Sequence, residues 1–90
     1  MEKKELQRLL DAEVSVWSQK PYDQLVEELN DVVAIQRGKD SAFHQFEVLM
    51  LEHEEAYVHV SISIDDGRLW RSFAPLTHSF IVNRDGRVEV

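Results

Sequence analysis

The stretch "AYVHVSISIDDGRLW", Ala56 to Trp70, decides the fold of this chain. Apolar and polar residues alternate from Ala56 to Ile64, as they do on a β-strand that buries one face. The run ends at Asp66-Gly67, a dipeptide typical of tight hairpin turns because glycine adopts a positive φ at no steric cost. We therefore predict a half-buried strand that turns back at once into a following strand.

The register of the preceding strand follows from the same alternation. Residues 43–52 form a second strand-like run, and pairing His53 with Tyr57 sets apolar residues of the two strands opposite each other. The matched pairs are Phe46 with Ile64, Val48 with Ile62, and Met50 with Val60. A slip of one residue would place Glu47 in the core, so we expect this register to hold.

Two amphipathic helices precede the strands. Apolar residues recur at helical spacing over residues 2–17 and again from Pro21 to about Asn30. Further strand-like runs are Val32–Ile35, Leu69–Ala74, Ser79–Asn83 and Arg87–Val90, the last two joined at Asp85-Gly86. The order ααβββββ predicts one α+β domain spanning residues 1–90, in which a helical hairpin packs on one face of a four- or five-stranded antiparallel meander.

Composition excludes several classes of function. The chain has 90 residues, a net charge of −7 and no cysteine, which rules out disulfides, thiol catalysis and thiolate metal sites. Its three glycines are too far apart for a glycine-rich phosphate loop, and the acidic balance argues against nucleic-acid binding. The longest aliphatic run, Val48–Leu51, is far shorter than the roughly 20 residues of a membrane helix. With no apolar signal region near the N-terminus, we expect a cytoplasmic protein.

The residues that carry chemistry do not form a recognisable catalytic or metal-binding motif. The four histidines, His44, His53, His59 and His78, are irregularly spaced. In the predicted register His53 and His59 share the face away from the helices with Glu47. Exposed histidines are commoner than three- or four-ligand sites, so we predict no metal, no cofactor and no catalytic residue.

The face of the sheet away from the helices is the predicted contact surface. Leu49 and Leu51 point to this side in the predicted register, which is unusual for a solvated sheet face. Either Trp70 or Leu69 also faces outward; if it is Trp70, that residue joins the patch. The candidate interface comprises Leu49, Leu51, Tyr57, His59 and Trp70. An apolar patch of this kind is typical of protein interfaces, and a homodimer is its simplest use.

Two alternatives stay open. Acidic residues at the two ends of the same hairpin would suit an inhibitor of the immunity or antitoxin type that binds a basic protein. They are Glu52, Glu54, Glu55, Asp65 and Asp66. A small enzyme or ligand carrier would instead use His59, His44 or the Asp65-Asp66 pair, and it predicts a concave pocket with convergent polar groups.

The segment "VSISIDDG", followed by Trp70 and "FAPLTHSFIV", resembles a pattern found in small bacterial proteins. In these proteins a helical segment with a sequence similar to "W…PYDQLV" precedes a β-rich half. The resemblance covers most of the chain and is strongest from Val58 to Val82. It implies a bacterial cytoplasmic protein, and no activity or site residue comes with it.

Overall fold

The computed structural model describes residues 2–67 and 76–90. Within them the chain forms two α-helices and five strands. The elements are α1 (Lys3–Ser18), α2 (Tyr22–Glu28), β1 (Val33–Arg37), a short 3₁₀ turn (Asp40–Ala42), β2 (His44–His53), β3 (Tyr57–Asp65), β4 (Leu76–Asn83) and β5 (Val88–Glu89). The five strands form an antiparallel sheet in the order β1-β2-β3-β4-β5. The predicted α+β meander, with both helices before the sheet, is confirmed.

Both helices pack on one face of the sheet, which we call the inner face. Leu10 of α1 and Leu25 of α2 are almost fully buried against it. The inner face of the three central strands is lined by Phe46, Val48, Val58, Val60, Ile62, Ile64, Phe80 and Val82, each at most 1% exposed. The alternation in β3 is therefore structural, since it buries one side of the strand beneath the helices.

The predicted register of β2 against β3 is confirmed up to Met50. Phe46 lies opposite Ile64 and Met50 lies opposite Val60. Beyond that point a β-bulge sets Leu51 and Glu52 together opposite His59. The predicted pairing of His53 with Tyr57 is wrong, because His53 pairs with Val58.

The bulge also corrects the placement of one histidine. Because an extra residue reverses the alternation, His53 lies on the inner face and its Nε2 is 3.0 Å from the hydroxyl oxygen of Tyr22. The prediction that His53 shares the far face with His59 and Glu47 is therefore wrong. The inner-face position of His53 ties the end of β2 to the start of α2.

The predicted tight hairpin at Asp66-Gly67 is also wrong. The free edge of β3 is occupied by β4 along its length, with Ile64 opposite Leu76 and Tyr57 opposite Asn83. This pairing leaves no place on β3 for a strand that follows directly after Gly67, and β4 begins at Leu76 rather than Ser79. The predicted strand Leu69–Ala74 lies outside the described residues. The second hairpin, around Asp85-Gly86, is confirmed, with Gly86 at φ 98°.

Candidate binding surface

The side of the sheet away from the helices, which we call the outer face, carries an apolar group near the β2–β3 turn. Leu51, in the bulge, is 54% exposed. Leu49 on the same strand, Tyr57 on β3 and Ile81 on β4 are half-buried. Four of the five predicted interface residues, Leu49, Leu51, Tyr57 and His59, thus lie together, and Ile81 of β4 joins them. Trp70, the fifth, lies outside the described residues.

The other half of the outer face is a flat layer of hydroxyl groups. Ser61, the middle residue of the central strand, pairs with Leu49 on one side and Ser79 on the other. It is only 6% exposed, because its small side chain lies below those of its neighbours. Thr77 donates a hydrogen bond of 3.3 Å to Ser63 across β3 and β4. The centre of this half is polar and uncharged, and Glu47 lies beside it, opposite Ser63.

Carboxylates surround both halves. Glu52, His59, Ile81 and Glu89 form one row of directly paired residues across β2 to β5, which we call the His59 row. At about 4.8 Å per strand its two carboxylates stand about 14 Å apart. Glu47 and Asp65 lie on the same face nearer the other end of the hairpin. None of the described strand residues on this face is Lys or Arg.

One hydrogen bond on this face changes the chemistry of a tyrosine. The hydroxyl of Tyr57 is hydrogen-bonded to the Glu52 carboxylate, and this bond is the main cause of a raised pKa for Tyr57. Partial desolvation and the negative charges of Glu52 and Glu54 act in the same direction. The carboxylate of Glu52 therefore favours the neutral form of the Tyr57 phenol.

The predicted acidic contact is divided by the structure into two groups. Glu52, Glu54 and Glu55 are exposed at the β2–β3 turn. Asp65 lies at the other end of β3, six residues beyond His59, or about 20 Å away at about 3.3 Å per residue. That separation exceeds the screening length of about 8 Å at physiological salt, so the two groups do not act as one charge cluster.

The acidic turn is held in place by Tyr22, at the start of α2. The buried Tyr22 donates a hydrogen bond of 2.6 Å to the backbone carbonyl of Glu54. Because that carbonyl can only accept, the Tyr22 oxygen must accept from His53 Nε2–H. The guanidinium of Arg84 lies 4.8 Å from the centre of the Tyr22 ring, and the Arg84 amide donates to Ala56 O. The turn is therefore anchored from the helix side.

A buried charge on α1 was also missed. Glu13 is 4% exposed on the inner side of the helix. Its carboxylate accepts from Arg37 Nη1 at 2.6 Å and from Trp17 Nε1 at 2.9 Å. The sequence signal was a carboxylate four residues before a buried tryptophan, which places both on one side of a helix. The cluster joins α1 to the edge strand β1, away from the outer face.

Two open grooves lie elsewhere on the described surface. One, of about 320 Å³, is lined by Asp11, Val14, Ser15, Ser18, His78 and Val90. The other, of about 400 Å³, is lined by Ala56, Asn83, Arg84, Asp85 and Arg87. Neither groove contains His44, His59 or the Asp65-Asp66 pair, the residues that the ligand-carrier alternative places in a pocket.

Among residues 2–67 and 76–90, no group of three or more histidine and acidic side chains is arranged to hold a metal ion. The described part of the chain also has no helix long and apolar enough to cross a membrane. Comparison with protein-family models, curated proteins and solved structures found no match to this chain.

Proposed function

We propose that this protein is a non-enzymatic binding module whose contact surface for another protein is the outer face of the sheet. The observation that carries the proposal is the exposed apolar group on a sheet face opposite the one that both helices cover. Leu51 is 54% exposed beside the half-buried Leu49 and Ile81. Clustered exposed apolar side chains within a polar rim are typical of protein contacts.

The size of the face sets what a complex needs. The strands run from ten residues in β2 down to two in β5, and at about 3.3 Å by 4.8 Å per residue they give a footprint of roughly 540 Å². A stable protein interface buries about 800 Å² on each partner. A specific complex on the outer face would therefore also use the residues around its rim.

A second copy of the chain is the simplest occupant of this surface, and a homodimer is what the sequence pattern predicts. A homodimer requires no other molecule, and isologous contact would bring the two apolar groups together. The second candidate occupant is a different protein with a basic surface, and the carboxylates of the outer face favour it.

The test replaces one exposed apolar residue on the outer face and a matched one elsewhere. Leu51 and Val16 are 54% and 55% exposed, so Leu51→Glu and Val16→Glu introduce the same charge at equally exposed positions. Light scattering across a concentration range follows association, while thermal unfolding checks the fold. If the wild type dimerises through the outer face, we expect Leu51→Glu to weaken the dimer about tenfold and Val16→Glu to leave it unchanged.

Association that Leu51→Glu does not weaken would contradict a contact at the outer face. A wild type that stays monomeric at all concentrations would exclude the second copy and leave a different protein as the occupant.

A further inference from the structure

We propose that the outer face binds a positively charged protein surface rather than a second copy of this chain. The inference rests on the binding function proposed above and specifies the partner. Its basis is the separation of charge between the outer face and the rest of the described surface.

Within residues 2–67 and 76–90, the strand residues of the outer face that carry a permanent charge are all acidic. The His59 row ends in Glu52 and Glu89, and Glu47 and Asp65 lie on the same face. Between Asp40 and Gly67 the sequence contains no Lys or Arg, so β2, β3 and the turn joining them carry no permanent positive charge. A partner meeting this face encounters carboxylates around an apolar and hydroxyl centre.

Most basic residues of the described chain lie away from the outer face. They are Lys3, Lys4, Arg8 and Lys20 on or beside α1, Arg37 on the inner side of β1, Lys39 after it, and Arg84 and Arg87 around the last turn. Arg37 is paired with Glu13. Arg87 stands beside the outer face, because Asn83 donates hydrogen bonds to its carbonyl oxygen, but its guanidinium is paired with Asp85. The Arg87–Asp85 pair adds no net charge, so the described strand carboxylates of the outer face stay unneutralised.

A homodimer through this face would oppose like charges. A two-fold interface brings the same patch of both copies together, so Glu47, Glu52, Asp65 and Glu89 would all appear twice within one contact. Carboxylates that lose water without gaining a cation are costly. A basic partner removes this cost because its guanidinium or ammonium groups can pair with the rim.

The fit defines the chemistry of the partner. Arginine or lysine side chains would lie against Glu52, Glu47 and Glu89, and apolar side chains between them would cover Leu49 and Ile81. Long-range attraction to a protein of net charge −7 would also speed association, and added salt would weaken it.

The experiment titrates the ¹⁵N-labelled protein with a short acetylated and amidated peptide of alternating arginine and leucine. A peptide with glutamine in place of arginine serves as the uncharged control. Two variants remove equal charge from different surfaces: Glu47→Gln/Glu52→Gln on the outer face, and Glu27→Gln/Asp31→Asn, both exposed, on the helix side. Each changes the net charge from −7 to −5.

We expect the arginine peptide to shift the amide signals of β2, β3 and β4 and to bind more tightly than its control. The outer-face variant should weaken this binding about fivefold, and the helix-side variant less than about twofold. Equal weakening by both variants would overturn the proposal, because attraction would then be non-specific.

Failure of this inference can be separated from failure of the proposed function. One outcome is a wild-type dimer that Leu51→Glu weakens and Glu47→Gln/Glu52→Gln tightens. It would establish a second copy as the occupant of the outer face. The proposed function of that face would then be supported, and a basic partner would be excluded. Peptide binding whose shifts lie outside the outer face, and that Leu51→Glu leaves unchanged, would overturn both.

Discussion

The carboxylate of Glu13, buried on α1, accepts a hydrogen bond from Arg37 at the end of β1, with 2.6 Å between Oε1 and Nη1. This contact joins the first helix to an edge strand and closes one side of the core. Arg37 is itself half exposed, and its guanidinium lies 5.5 Å from the centre of the Phe46 ring. The pair is a structural ion pair, because both groups are turned away from the proposed binding surface.

Replacing Arg37, the partner of the buried Glu13, should destabilise the protein more than replacing Arg8, whose partner is exposed. In Arg37→Leu the Glu13 carboxylate keeps only the Trp17 N–H, so we expect a loss of about 2 kcal/mol in the free energy of unfolding. Arg8→Leu removes an exposed pair with Glu5, which water screens, and should cost much less. Urea unfolding of both variants makes the measurement. Equal losses would show that burial of Glu13 adds nothing to the pair.

Removing the Tyr22 hydroxyl should loosen the acidic turn. Tyr22→Phe leaves the Glu54 carbonyl and the His53 ring without their partner, so we expect a loss of about 1–2 kcal/mol in the free energy of unfolding. Amide hydrogen exchange should speed up at Glu54, whose N–H donates to Tyr57 O, and at Arg84. Tyr57→Phe, which removes an exposed hydroxyl, is the control and should leave the Arg84 amide unchanged. Unchanged exchange in Tyr22→Phe would show that the backbone bonds alone hold the turn.

The sequence predicted the helices, the sheet and most of the register of β2 against β3, for a physical reason. A one-residue slip of β2 against β3 would bury Glu47, and the observed pairing from Phe46 to Met50 sets apolar residues opposite each other. Beyond Met50 no apolar inner-face residue of β2 remains to be matched, and the bulge at Leu51 therefore left no signal. Without knowledge of this bulge, the position of His53 on the inner face could not be predicted.

After β3, the burial of apolar side chains outweighs the local preference of Asp66-Gly67 for a tight turn. Asp66-Gly67 is a strong hairpin signal, yet β4 pairs with β3 through Leu76–Asn83, which buries Phe80 and Val82. Pairing that adds an aromatic ring to the core outweighs the preference of a two-residue turn. The outer-face residues Leu49 and Leu51 were predicted because alternation fixes the face of a strand. Ile81 was missed because the register of β4 depended on the incorrectly placed turn.

A methyl group at Gly38 should destabilise the loop between β1 and β2. Gly38 has φ 76°, and a Cβ there would lie 2.2 Å from the carbonyl oxygen of Ala42, so Gly38→Ala combines an unfavourable backbone conformation with a steric clash. Gly86 has φ 98° but open space around it, so Gly86→Ala carries only the backbone cost, about 1–2 kcal/mol. We expect Gly38→Ala to exceed that loss by about 1 kcal/mol or more in thermal or urea unfolding. Equal losses would show that the loop moves to accept the methyl group.

The tyrosine of the outer face should titrate at higher pH than an ordinary tyrosine. Its hydrogen bond to Glu52 stabilises the neutral phenol, so the pKa of Tyr57 is raised above its usual value of about 10. Since the folded pKa lies above the unfolded one, the stabilisation is fully present below about pH 10 and is lost as the pH rises through the folded pKa. Glu52→Gln should bring the pKa of Tyr57 down towards its usual value.

Carbon-13 NMR of the tyrosine Cζ signals measures this titration, because it separates Tyr57 from Tyr22. Glu55→Gln is the matched control: it removes an exposed carboxylate from the same turn that is not among the causes of the raised pKa. We expect it to lower the pKa of Tyr57 by much less than Glu52→Gln does. If the two variants lower the pKa of Tyr57 equally, the general negative charge of the turn raises that pKa. The hydrogen bond to Glu52 would then not be its main cause.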